Sequence, residues 1–200
     1  MTSVGDTSAA GELFAVYHDR ICRYIAGMIR DSAEAEDLTQ ETFLRAHCRQ
    51  EVLRDPKGAR GWLYRIATNV CLDRLRQRTR QATGDCQYDL QRARPVVLET
   101  PSAQQHVERA ETSACVQRCL NYLPDSYRAV ILLYEAHGLT APEIAALLGV
   151  SVATIKIRLH RARRRLQEVM EIGCRVSEGD SGAPCCEAKR ECRAPLENGR

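Results

Sequence analysis

The sequence predicts an all-α fold: two small helical domains joined by a flexible linker, the second containing a helix-turn-helix, then a short cysteine-rich C-terminal tail. Three observations carry that expectation. Aromatic residues are only 5% of the 200-residue chain while Ala, Leu and Arg abound, which disfavours a β-sandwich and suits helices. Apolar residues recur at three-to-four-residue spacing along most of the chain. The rhythm fails in one internal stretch and again near the C-terminus, marking a linker and a tail. With 44% hydrophobic and 28% charged residues, wholesale disorder is excluded. No run of about 18 apolar residues can cross a membrane, and residues 1–11 lack the basic start and apolar core of a signal peptide. Ten cysteines in 200 residues fall short of the ~8–10% of a disulfide scaffold, so the expected compartment is the cytoplasm.

The first domain is expected over residues 1–80. Leu13, Val16, Tyr17, Ile21, Tyr24, Ile25, Met28 and Ile29 set a helix over residues 13–29. Asp31, three before Glu34, has capping-box spacing and opens an acidic helix carrying Leu38, Thr42, Phe43 and Leu44. Asp55-Pro56-Lys57-Gly58 is a turn signal. From Trp62 a third helix carries two apolar rows, Trp62, Ile66, Val70 and Leu63, Ala67, Cys71, Leu75. Its solvent side holds Arg65, Asn69, Asp73, Arg74 and Arg76.

Residues 81–101, rich in Thr, Gly, Asp, Gln and Pro, form the linker, and the second domain occupies residues 102–172. Ser102 and Gln105 give a weak start signal; Cys115, Val116, Cys119, Leu120 and Leu123 make an apolar stripe before Pro124. Tyr127, Val130, Ile131, Leu133 and Tyr134 continue into a helix closed by Gly138. Thr140 and Glu143 form a stronger capping box, with Leu139 and Ile144 as its staple. That helix stops at Gly149, and Ser151 caps a long final helix to about Met170. The tail, residues 173–200, is polar and too poor in large apolar residues to fold alone.

The net charge of +3 means little until it is divided. Residues 31–41 hold five acids and no base. Residues 54–80 hold eight bases against two acids, and residues 151–170 hold six against one. Two separated basic blocks on helical segments are the footprint of a polyanion, although most charge runs are merely solvated faces. The second block decides the matter by its position. Ala145, Gly149 and Ile155 have helix-turn-helix logic: a small residue for close crossing, a glycine for the turn, an apolar anchor on the second helix. The outer face then offers Thr154, Lys156, Arg158 and Arg161 to base edges, and Arg163, Arg164 and Arg165 to phosphates. A plain helical hairpin is the alternative. On the third helix Asn69, Asp73 and Arg74 beside Trp62 and Tyr64 combine aromatic and cationic groups, which suits unstacked bases.

Three long motifs occur in order. They are Asp37-Leu38-Thr39-Gln40-Glu41-Thr42-Phe43-Leu44-Arg45, Trp62-Leu63-Tyr64-Arg65-Ile66-Ala67-Thr68-Asn69, and Leu123-Pro124 followed by the helix-turn-helix to Leu159-His160-Arg161-Ala162-Arg163. Over roughly residues 10–170 the chain resembles a bacterial sigma factor of the extracytoplasmic-function (ECF) group. The resemblance implies that Asp37, Gln40, Glu41 and Phe43 bind the β′ clamp of core RNA polymerase. It implies that Lys57, Arg60, Trp62, Arg65, Asn69, Asp73 and Arg74 melt and read the minus-ten element. By the same resemblance the second domain sits on the β flap and reads the minus-thirty-five element through Thr154, Lys156, Arg158 and Arg161. At Ile157 the family often has a small polar residue; isoleucine can touch a thymine methyl but cannot donate to guanine.

The cysteines divide. Cys22, Cys48 and Cys71 lie on apolar rows and are expected as buried small hydrophobes, as are Cys115 and Cys119, although that pair at i, i+4 also has ligand spacing. Cys174, Cys185, Cys186 and Cys192 belong to no apolar stripe, and with Cys86 are candidate ligands for zinc, cadmium or copper. Such an extension resembles the CorE type of ECF factor, where metal on the factor itself sets activity and an anti-sigma factor is possible without being required. Those tails carry more cysteines, and a paired motif in the linker where this chain has only Cys86. The rival reading is a metal- or redox-sensing helix-turn-helix regulator acting without polymerase. An enzyme has little support, since neither a nucleophile–base arrangement nor a phosphate-binding glycine loop is visible.

Overall fold

A computed structural model describes residues 9–29, 31–49, 58–82, 116–178 and 184–188. The first domain is three helices, α1 (Ala9–Met28), α2 (Ser32–His47) and α3 (Ala59–Ala82). The second begins with helical residues 116–120 (α4) and α5 (Asp125–Ile131), which runs into one π turn, Leu132–Ala136. Then come α6 (Ala141–Leu148) and α7 (Val152–Gly173), followed by an antiparallel hairpin of β1 (Cys174–Glu178) and β2 (Pro184–Ala188). Among the described residues no helix is long and apolar enough to cross a membrane.

Local chemistry explains most of the starts and stops. Asp31, in extended backbone, accepts a hydrogen bond from the Glu34 amide at 3.1 Å and opens α2. The expected box is only half made. Glu34's carboxylate crosses instead to Arg74 and Arg78, tying α2 to α3. Inside α2 the buried Thr39 and Thr42 hydroxyls donate to the carbonyls of Ala35 and Leu38 at 2.7 Å, so no hydroxyl is buried without a partner there. α3 starts at Ala59, three residues before Trp62, because Ala59 itself is buried, and it runs through residues 81 and 82 of the expected linker. In α6 the capping box is complete: Thr140 accepts from the Glu143 amide while its own amide donates to Glu143 at 2.7 Å. Those Thr140 hydrogen bonds hold the Glu143 carboxyl below its usual range. Gly149, with φ of 66°, makes the left-handed stop that a side chain would strain.

The two domains do not stand apart. One apolar core runs from Ile21, Tyr24, Ile25 and Leu63 into Leu120, Val130, Leu132 and Leu133. At Gly27 the helices approach so closely that a Cβ would lie 3.0 Å from Leu132 Cδ1. A mid-helix glycine costs about 1 kcal/mol against alanine, and this contact is what it serves. Arg128, fully buried, fastens the seam. It donates to the carbonyls of Leu120 (3.0 Å), Asn121 (3.2 Å) and Leu123 (2.9 Å) in its own domain, and to Met28 (2.9 Å) across the seam. Gln117 Nε2 adds a bond to the Gly27 carbonyl at 3.1 Å.

The hairpin is the element that periodicity did not forecast. Its register pairs Cys174 with Ala188, Val176 with Cys186 and Ser177 with Cys185. An alternation was present, Cys174 and Val176 against Arg175 and Ser177, but five residues are too few to stand out from a polar tail. Among the helical cysteines, Cys71 is buried, and that burial pushes its thiol well above the ordinary range. Cys119 packs in a small cluster with Val169, while Cys22 is half-buried. Cys48 corrects the sequence expectation: it caps the end of α2 and is exposed.

Candidate nucleic-acid interface

The helix-turn-helix is built from α6, Gly149 and α7. Ser151 Oγ accepts from the Thr154 amide at 3.1 Å and shares a 2.8 Å hydrogen bond with the Thr154 hydroxyl, fixing the start of α7. Ile155, Leu159 and Ala162 are 0–5% exposed and seat α7 on the core. The opposite side is left to solvent: Lys156 and Arg161 are exposed, while Arg158 and Thr154 are half-buried. Arg163 forks onto Glu135 Oε1 at 2.8 and 2.6 Å and lies over the Tyr134 ring, so the π turn braces the recognition helix. Arg164 and Arg165 share Glu168. These pairs lie at the surface, where solvent screens them, so a phosphate can replace the carboxylate at little cost.

On α3 the candidate residues separate. Arg65, Asn69 and Asp73 are exposed on one side, with Asp73 paired to Arg76 at 3.0 Å, and Trp62 is half-buried. Arg74 is held by Glu34, and Arg60 donates to the His137 carbonyl across the seam. Tyr64 does not join the polar face. It is buried, and its hydroxyl meets His137 Nδ1 at 2.8 Å. Tyr24 stands edge-on to both rings and hydrogen-bonds Thr68 at 2.8 Å. Burial first, then the charges of Arg23, Arg60 and Arg20, push His137 down to about pKa 4, so it is neutral near pH 7. Lys57 lies outside the described residues.

On α2, Asp37 and Gln40 are exposed, and Glu41 is half-buried with Arg45 at 2.6 Å. Phe43 packs edge-on to Phe14, ring centroids 4.9 Å apart, beside His18. Phe14 and Leu44 are 46% and 66% exposed, which makes this an acidic surface with an apolar centre. In the tail, Cys174 opens β1, and the adjacent Cys185 and Cys186 of β2 stand in register with Ser177 and Val176. Cys86 and Cys192 lie outside the described residues. Among the described residues no three His, Cys, Asp or Glu side chains gather as metal ligands.

Sequence reasoning missed Arg128, His137 and Gly27, the residues of the seam. Long-range contacts leave no local spacing to read. Glu34 was read as a cap and serves as an interhelix anchor.

Residues 13–81 match the family model described as Sigma-70 region 2, and residues 113–166 match the one described as Sigma-70, region 4. The chain is 35% identical over 171 residues to the ECF RNA polymerase sigma factor SigE of Mycolicibacterium smegmatis, covering 84% of this chain and 65% of that protein. It is 32% identical over 168 residues to the ECF RNA polymerase sigma factor SigW of Bacillus subtilis, covering 82% and 90%. Its fold is like that of the sigma factor RpoE, solved in complex with the anti-sigma factor NepR from Bartonella quintana (TM-score 0.65, 24% identity, 81% and 96% covered). It is also similar to CnrH, solved with the cytosolic domain of CnrY (TM-score 0.57, 25% identity, 82% and 88% covered).

Proposed function

The chain belongs to the ECF RNA polymerase sigma factors of the sigma-70 family, and from that premise we propose that it binds core RNA polymerase and directs promoter-specific initiation without catalytic chemistry of its own. The observation that carries the reading is the α6–Gly149–α7 unit, whose cations Lys156 and Arg161 face solvent opposite an anchored apolar stripe. The acidic and apolar surface of α2 suits a basic protein partner, the β′ clamp. The open side of α3, with Arg65 and Asn69, suits melted minus-ten strand, and α7 suits minus-thirty-five duplex. The test is run-off transcription with core enzyme. Promoter-specific transcripts are expected only with both components present, and tight promoter binding without polymerase, with no transcription when core is added, would defeat the reading.

Geometry adds a requirement. Elements centred about 25 base pairs apart lie ~85 Å apart on straight duplex at ~3.4 Å per pair. In the closed form α3 and the second domain touch, so both elements cannot be held at once. Residues 83–115, some thirty residues at ~3.3–3.6 Å each, span about 100 Å when extended, enough for the seam to part. A partner that holds the two domains together, such as an anti-sigma factor, would then silence the chain.

A finer reading concerns the tail. β1 follows α7 without a break, and the hairpin carries Cys174, Cys185 and Cys186. We propose, as in the CorE type, that these thiols with Cys192 and Cys86 hold a thiophilic ion (zinc, cadmium or copper) that controls activity. Transcription across a metal panel should lose its metal response when the chain ends at Gly173; an unchanged response would place regulation elsewhere.

A further inference from the structure

We propose that Ile157 makes the recognition helix select thymine, by seating its side chain against a 5-methyl group in the major groove. The inference rests on the reading of α7 as a duplex reader and narrows it to one chemical group. Ile155 and Leu159, at 0% and 5% exposure, mark the core side of α7. Ile157 is two residues from each, about 200° round the helix axis at ~100° per residue, and so faces directly away from the core. It is 52% exposed, so packing does not explain it. As the sixth residue of α7 it lies in the N-terminal part, which reaches base edges in helix-turn-helix proteins.

Its neighbours decide what it meets. Lys156, His160 and Arg161 surround it and are exposed, and Ala153, one turn earlier, is exposed too. An apolar centre flanked by the cations Lys156 and Arg161 suits a polyanion whose backbone takes the charges and whose floor offers an apolar group. On the major-groove edges of the four bases the thymine methyl is that group. Against guanine, adenine or cytosine the isoleucine would cover donors or acceptors it cannot pair, which disfavours those bases.

The test uses holoenzyme and a promoter duplex selected by it, with each upstream thymine replaced in turn by deoxyuridine, which removes one methyl. Wild type should lose about fourfold in affinity at one or two positions, the worth of one buried methyl group. In Ile157→Ala that loss should vanish at the same positions, with thermal unfolding unchanged because the side chain is exposed. Uridine sensitivity that persists in Ile157→Ala would assign the methyl to another residue and overturn the proposal. So would a wild type indifferent to every substitution while Lys156→Ala still weakens upstream binding, and that outcome would leave α7 a duplex reader. If neither variant alters upstream binding, the reading of α7 itself has failed and the inference falls with it. If Ile157→Ala weakens binding to core enzyme without DNA, the residue belongs to a protein interface and the proposal is wrong.

Discussion

α3 and α7 are the two long basic helices, and they use their cations differently. α3 is packed on several sides: Leu63, Tyr64, Ala67, Thr68, Val70 and Cys71 are all buried, because α1, α2 and the second domain each claim a face. Three of its arginines are drawn into that packing, Arg74 and Arg78 by Glu34 and Arg60 by His137. α7 has one buried stripe, and its pairs with Glu135 and Glu168 lie at the surface. Basic composition alone therefore says little about readiness to bind nucleic acid. What matters is whether a carboxylate or carbonyl inside the fold has already claimed the charge.

If that contrast holds, the largest effect on folding falls at the seam between the two domains, where Arg128 reaches the Met28 carbonyl at the end of α1. Arg128→Met leaves four carbonyls without their donor, and at roughly 1.5–3 kcal/mol per charged hydrogen bond, not additive, should cost about 3 kcal/mol or more. Thermal unfolding should show a fall of several degrees, and a melting temperature within a degree of wild type would break the contrast. On α7 the effect should be functional. Lys156→Ala and Arg161→Ala should leave stability within about 0.5 kcal/mol but cost roughly 1–3 kcal/mol of initiation at promoters that need the minus-thirty-five element. Equal loss at every promoter would make them backbone contacts instead.

Smaller effects sharpen the contrast. Glu34→Ala and Arg74→Ala should each destabilise by about 1 kcal/mol, and the double variant by less than the sum, if Arg74 acts through Glu34. Full additivity in unfolding, with loss of promoter opening in Arg74→Ala alone, would return Arg74 to the DNA. Near neutral pH the smallest effect is a pH dependence at His137. Its pKa is about 4 when buried and near 6.5 when released, so the opened form binds the extra proton. The closed form should be fully favoured above pH 6.5 and lose ground as pH falls toward 4. Domain separation followed by small-angle scattering checks this, and His137→Gln should flatten the profile.

Legibility follows the same division. The capping box at Thr140, the Gly149 turn and the face carrying Lys156 and Arg161 rest on neighbours in sequence, and their spacing sufficed. Tyr64 and Arg60 sat on a helix read as partly solvent-facing, and their partner His137 lies more than 70 residues away, beyond any local pattern. Glu34 has the right spacing for a cap, and no local rule reveals that an arginine 40 residues on competes for it. The seam also explains why expecting two domains on a flexible linker missed their shared core. Amphipathic spacing says a face is buried without saying against what.

The most direct measurement is the distance between probes at exposed positions on the two helices, Gln77 on α3 and Gln167 on α7, labelled without using the native cysteines. In the free protein one short distance is expected, set by the closed seam. In holoenzyme on promoter DNA it should lengthen toward the ~85 Å that separates the two elements on straight duplex. A distance that stays short while specific transcripts are made would contradict the claim that the closed chain must open to read its promoter.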